Sequence, residues 1–155
     1  MDHGGWITGP QQAFRKPPRD VDLVIALDAV DRAVLMLEEA GFTSERFDWP
    51  VNLKGRSAVS VQLSTEDFYR EFPGRSVPAD VHGILIRVAS LDDTLAGKMK
   101  AWAEPTRRQS EQAKDFTDIV RLVEAHPRLW SSLTPELRQL VRQPSETPAP
   151  PADLK

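Results

Sequence analysis

The sequence predicts an α/β (or α+β) domain in which a small, mixed, mostly antiparallel sheet is backed by helices, with a helical C-terminal part packed over it. Three observations carry this. Arg19-Asp20-Val21-Asp22-Leu23-Val24-Ile25 alternates polar and apolar residues with period two and runs straight into a helical repeat, and strand followed directly by helix is the mark of α/β construction. Period two returns between residues 42 and 63 and again at Ile84-Leu85-Ile86-Arg87-Val88. From about residue 90 onward only helical spacing remains.

In chain order, residues 1 to 18 hold Gly4-Gly5, Gly9-Pro10 and Pro17-Pro18, a segment in which the prolines break any helix entering the first strand. That strand is expected over roughly 20–26, with Asp28 capping a helix from about 29 to 40. Val30, Ala33, Val34 and Leu37 form its apolar stripe, and Gly41 takes the position just past its end. Phe47 and Trp49 alternate, Pro50 interrupts, and Lys54-Gly55-Arg56 reads as a turn before Ala58–Leu63. A strand pair results, with Val59, Val61 and Leu63 inward and Ser60 and Gln62 on the other face. Ser64-Thr65-Glu66-Asp67 has capping-box form and predicts a short helix to about 72, stopped by Pro73-Gly74. A polar loop then leads through His82-Gly83 into the strand 84–88.

In the last third, Ser90-Leu91-Asp92-Asp93 opens a helix striped by Leu91, Leu95, Met99 and Trp102 and ended by Pro105. Ser110 caps the next, whose core face is Phe116, Ile119, Val120 and Val123, and Pro127 ends it. Thr134-Pro135 opens a final helix through Leu137, Leu140 and Val141. Residues 1–143 are expected to form one domain, its helical part spanning about 90–143, and 144–155, rich in Pro, Ser, Glu and Ala, a disordered tail.

Composition narrows the function classes. The 155-residue chain suffices for one domain with a core. A net charge of −3 argues against nucleic-acid binding through bulk electrostatics. The absence of cysteine removes disulfides, thiolate chemistry and Cys-ligated zinc. No run approaches a membrane span and no signal-peptide core is visible, so a cytoplasmic protein away from membranes is expected. No zinc-hydrolase, serine-hydrolase or P-loop motif occurs. The three histidines lie far apart in sequence, and the four tryptophans read as core or interface anchors.

The first strand carries the chemistry. Asp20 and Asp22 share a face, and two carboxylates ~4 Å apart repel by roughly 4 kcal/mol at an effective dielectric of ~20. They stand in water at a strand end or hold a divalent cation, and oxygen-only donors suit Mg²⁺, which binds through one or two carboxylates plus substrate phosphates. Elsewhere, Asp115 and Asp118 are neighbours on a helix. Asp115 is expected to hold Lys98 or an arginine, while Arg107-Arg108 forms a basic loop.

Gly4-Gly5-Trp6, a linker and Arg19–Val24 together resemble the G-G-(x)n-D-x-D signature of the polymerase-beta-type nucleotidyltransferase superfamily. Val88-Ala89-Ser90-Leu91-Asp92-Asp93 with Gly97-Lys98, then Arg107-Arg108 and Lys114–Leu122, is similar to its minimal bacterial group, the abortive-infection and toxin–antitoxin nucleotidyltransferases. The resemblance covers about residues 4 to 125. It implies a nucleotidyltransferase fold and Mg²⁺-dependent transfer of a nucleoside monophosphate from NTP to an RNA or protein acceptor. Carried across residue by residue, Asp20 and Asp22 become catalytic metal ligands. Gly4 and Gly5 become phosphate-loop residues, and Lys16 and Lys98 nucleotide-binding cations.

The pattern departs from the family in three places. Gln62 aligns with the third carboxylate, Ser60 lies two residues earlier on the same face, and neither can act as a base. Asp80 is a possible substitute, expected in a loop before its strand. Lys16-Pro17-Pro18 replaces Arg-x-Thr, keeping the charge and losing the hydroxyl. Gly4-Gly5 lies at the very N-terminus, as a late start codon or decay to a non-catalytic protein would place it. Two readings therefore stand side by side: an enzyme, or a catalytically degenerate nucleotidyltransferase-like binding or regulatory module of a toxin–antitoxin or phage-defence pair. Oligomeric state, acceptor and partner are not written in the sequence.

Overall fold

A computed structural model describes residues 20–144. Gly4, Gly5, Lys16 and the tail residues 145–155 lie outside the described residues. The chain divides into two compact units, residues 1–90 and 91–155.

The first unit is built on a four-stranded sheet of order β1-β4-β3-β2, with β1 Asp20–Val24, β2 Thr43–Arg46, β3 Pro50–Lys54 and β4 Ser60–Ser64. β1 pairs with β4 in parallel, and the β2–β3 and β3–β4 pairs are antiparallel. The sheet is therefore mixed and mostly antiparallel, as expected. Alternation fixes what each face carries. Helix α1, Val30–Glu39, presents Val30 and Val34 to Val51, Leu53 and Leu63, all buried. Arg46 donates to Asp31 (2.7 Å) and Ser44 to Glu38 (2.5 Å), tying the outermost strand to the same helix. Gly41 follows the helix with φ +95°, a conformation that costs an L-residue roughly 1–2 kcal/mol.

Several local expectations are corrected. Asp28 sits in a 3₁₀ turn (Leu27–Ala29) and Ala29 is the N-cap of α1, so the strand-to-helix transition uses a tight turn rather than a capping side chain. Residues 42–63 hold three strands, because Pro50 begins β3 at a place where its missing N–H costs little, and Phe47 and Trp49 lie exposed in the connection. Ser64 is the last residue of β4; the turn after it starts at Glu66 and becomes a 3₁₀ segment, Asp67–Tyr69. Pro73 and Gly74 lie inside a one-turn helix α2, Phe72–Arg75, proline being tolerated in a first turn.

The expected polar loop contains a strand. β5, Val77–Val81, pairs antiparallel with β6, Ile84–Val88, through His82 (φ 54°) and Gly83 (φ 82°). Two consecutive positive φ values make the turn whose twist suits a hairpin. Gly83 N–H donates to Asp80 Oδ1 (2.7 Å), so Asp80 serves its own turn.

The second unit is helical: α3 Leu91–Ala103, α4 Gln109–Ala125, a 3₁₀ segment Pro127–Ser132 and α5 Pro135–Leu140. Its core joins Leu95, Ile119, Leu122, Val123, Leu129, Leu133, Leu137 and Val141, with Leu91, Met99, Trp102, Phe116, Val120 and Trp130 packed around it. Ser110 lies inside α4, whose N-cap is Arg108. The Thr134 hydroxyl accepts the Leu137 N–H at 3.4 Å, the capping its sequence predicts. Leu140 is exposed rather than core. Among the described residues no helix is long and apolar enough to cross a membrane.

Candidate functional site

One face of the first unit's sheet is taken by α1, and the other is polar. The register sets it out as two rows. Asp22 stands opposite Gln62, Gln62 opposite Asn52 and Asn52 opposite Glu45; Asp20 stands opposite Ser60, Ser60 opposite Lys54 and Lys54 opposite Thr43. Because side chains alternate, all eight belong to the face that α1 does not cover. The apolar partners of the same strands, Val51, Leu53 and Leu63, are the ones buried beneath α1.

Asp20 and Asp22 are thus brought to one side of β1, half-buried and exposed respectively. β1 is an edge strand, so the two carboxylates stand at a border of the sheet. Gln62 stands directly beside Asp22 on the neighbouring strand. The donors here are hard oxygens: two carboxylates, an amide carbonyl and a hydroxyl. Among the described residues no three His, Cys, Asp or Glu side chains group to hold a metal ion. That donor set fits Mg²⁺ only as a two-carboxylate seat completed by phosphate oxygens of a bound nucleotide.

Lys98 belongs to the second unit, and its ammonium is buried. It reaches Asp118 Oδ2 at 2.6 Å and Asp115 Oδ1 at 3.4 Å. Asp115, 2% exposed, also accepts from Arg107 Nε at 2.7 Å, and Arg121 lies 3.9 Å from Asp118. Lysine 98 and the two aspartates come together because Asp115 and Asp118, three apart on α4, share the face that α3 packs against. Charges this deep persist only when paired and hydrogen-bonded, and here Lys98 and Arg107 hydrogen-bond the two carboxylates while Arg121 lies nearby. Gly97, next to Lys98, is buried, yet a Cβ built on it would meet no atom within 4 Å, so the backbone of α3 borders open space there. Sequence reasoning gave Arg107 only a place in a basic loop. The i, i+8 reach from that loop back to Asp115 has no periodic signature that could have revealed it.

On the surface of this unit, Arg128 forms a two-pronged pair with Asp92 at 3.1 and 3.0 Å. Hydrogen bonding from that guanidinium holds the Asp92 carboxyl below its ordinary range, against the opposing effect of burial and with help from the guanidinium's charge.

No curated protein matches the chain. Among solved structures the chain is similar to the crystal structure of lincosamide antibiotic adenylyltransferase LnuA, lincomycin-bound. The TM-score is 0.47 at 14% sequence identity, over 74% of this chain and 78% of that one. The model of a family described as nucleotidyl transferase AbiEii toxin, type IV TA system, matches residues 33–153. That span begins inside α1, after the strand of Asp20 and Asp22, and takes in β2 to β6 and the helical unit with Lys98, Asp115 and Asp118. This chain belongs to the AbiEii nucleotidyl transferase toxin family.

Proposed function

We propose that the protein transfers a nucleoside monophosphate from an NTP to an RNA or protein acceptor in the cytoplasm, with Asp20 and Asp22 as the catalytic carboxylates. The observation that carries this is the polar sheet face, where both aspartates of β1 share one side in register with Gln62 and Ser60. Membership of a nucleotidyltransferase family supports it. Asp20 and Asp22 would hold Mg²⁺, which when bound with NTP neutralises triphosphate charge and orients the α-phosphorus for in-line displacement. Gly4 and Gly5 would let backbone approach the phosphates closely. Lys16 would meet phosphate charge.

The same reading gives Lys98 a part in nucleotide binding. Its ammonium carries one full charge against two carboxylates, so any phosphate it meets competes with Asp118 for its donors. A specific observation favours the second reading, a binding or regulatory module. Beside Asp22 stands a carboxamide, which cannot take a proton from an attacking hydroxyl.

Thermal stabilisation by each NTP with Mg²⁺, in the wild type and in Asp20→Ala/Asp22→Ala, separates the two. A ligand at about 100 times its Kd adds about 2.7 kcal/mol, a shift of several degrees for a chain of this length. A metal-dependent shift lost in the double variant supports the nucleotide site. No shift with any NTP leaves the module reading.

A further inference from the structure

We infer that the open edge of the hairpin β5–β6 is an interface for a second copy of this chain. The two β6 strands pair antiparallel about Ile86 and make one four-stranded sheet, closed at two copies. The inference stands apart from the nucleotidyl-transfer reading. Ile84 and Leu85, 65% and 76% exposed, are the most exposed large apolar side chains among the described residues. Alternation puts Val77, Ala79, Val81, Ile84, Ile86 and Val88 on one face of the hairpin, apolar throughout. A two-stranded sheet is marginal in water until further strands or a helix join it.

The two edges of the hairpin differ. Its two-residue turn makes Val81 and Ile84 exchange both backbone bonds, and the pairing alternates from there. The backbone groups of Pro78 and Asp80 therefore point out from β5, and those of Leu85 and Arg87 point out from β6. Proline brings no N–H, and a proline and a charge are what keep an edge strand from pairing, so the β5 edge is blunted. The β6 edge keeps both donors and both acceptors. Arg87, the charge that could guard it, is drawn back to Ser76, the residue before β5. Its Nε donates to Ser76 Oγ at 2.7 Å and its second guanidinium nitrogen, Nη2, to the Ser76 carbonyl.

The strand is its own complement. Paired about Ile86, residues 84–88 overlap completely: Ile84 meets Val88 of the second copy, Leu85 meets Arg87, and Ile86 meets Ile86. The outward N–H and C=O groups of Leu85 and Arg87 then find each other across the junction. No charge stands opposite a like charge, which would oppose pairing, and the two apolar faces join side by side. The edges left outside are the two β5 strands with Pro78, so growth stops at a symmetric pair. Edge pairing is small beside a standard interface of roughly 1,600 Å², so reversible association in the micromolar range is expected rather than a permanent dimer.

The test is sedimentation velocity on the full chain from about 1 to about 300 μM, with hydrogen exchange over residues 84–88 at both ends of that range. The expected result is a monomer–dimer equilibrium, with the Leu85 and Arg87 amides exchanging more slowly at high concentration. Leu85→Pro removes an outward N–H that the hairpin itself does not use, and should weaken dimerisation at least tenfold with circular dichroism unchanged. The chain contains no cysteine, so a single introduced one reports the register. Ile86→Cys sets two thiols at a non-hydrogen-bonded pair, with Cα atoms about 4.5 Å apart, and should cross-link to itself under mild oxidation. Leu35→Cys, exposed on α1, should not. The cross-link decides the matter if the proline variant misfolds. A chain monomeric throughout the range, or growth past two copies, overturns the inference. So does slow exchange in β6 at every concentration, which would mean a strand from elsewhere in the same chain covers the edge. Cross-linking of Leu35→Cys as fast as of Ile86→Cys, or a dimer undiminished in a folded Leu85→Pro, overturns it too.

Discussion

Removing Asp115 should unfold the helical unit more readily than any other single polar change in it. Its side chain is 3% exposed and answers two cations, Lys98 and Arg107, whose side chains are 5% and 34% exposed. Asp115→Leu leaves Arg107 free to turn toward water but keeps Lys98 buried. Breaking a buried pair costs about 3–5 kcal/mol because the surviving charge remains uncompensated. Lys98 retains Asp118 at 2.6 Å, closer than Asp115 at 3.4 Å, so the lower end applies, about 3 kcal/mol. At about 2–4 °C per kcal/mol the melting temperature should fall by roughly 6–12 °C. The double variant Lys98→Met/Asp115→Leu removes both ends of the pair, and apolar replacement of a whole buried pair is often close to neutral. It should therefore be more stable than Asp115→Leu alone. Urea unfolding followed by tryptophan fluorescence measures the total, and hydrogen exchange in α3 and α4 localises it. A loss under about 1 kcal/mol for the single variant, or strict additivity in the double, would refute the argument that this pairing holds the two helices together.

Four further outcomes follow from the geometry. Gly41→Ala, at φ +95°, should destabilise the first unit by about 1 kcal/mol, read from urea midpoints. His82→Asn, at φ 54° in the hairpin turn, should stabilise it by a few tenths of a kcal/mol, since asparagine adopts that conformation more readily. Leu137→Ala, fully buried, should cost about 2–5 kcal/mol in the same assay. In Arg128→Ala the Asp92 carboxyl should titrate at a higher pH by NMR, back toward its ordinary value. The sign follows from the depressed folded-state value: the pair's stabilisation is present above the unfolded carboxyl's pKa and fades as pH falls through the folded one.

The strand Asp20–Val24 and its polar face were legible because alternation assigns faces without knowledge of the neighbours. That Gln62 would lie beside Asp22 rested on the family resemblance, and the register of β1 on β4 is what the structure adds. The hairpin strand β5 escaped because Pro78 and Asp80 read as loop residues. Its signal was the two-residue His82-Gly83 turn between Val81 and Ile84, a spacing that should have outweighed them. Caps were the least legible feature. Asp28, Ser64 and Ser110 all have capping side chains, and each is overridden: Asp28 by a tight turn, Ser64 by strand pairing that reaches it, and Ser110 by a helix that starts before it. The buried set of Lys98, Asp115, Asp118 and Arg107 was half legible: helical spacing put the two aspartates on one face, but which cations would meet them depends on how α3 and the following loop pack on α4.

The most direct test of the polar sheet face as the catalytic site is incorporation of label from each α-³²P-NTP into RNA, protein and small acceptors, comparing wild type with Asp20→Asn/Asp22→Asn. The asparagines preserve size and hydrogen bonding while removing both charges, so folding should survive in circular dichroism and urea midpoint. Mg²⁺-dependent label is expected with the wild type and a loss of at least ~10³-fold in the variant, as when charge stabilisation at the reacting centre is lost. Equal incorporation by a folded variant would contradict it and move the chemistry away from β1.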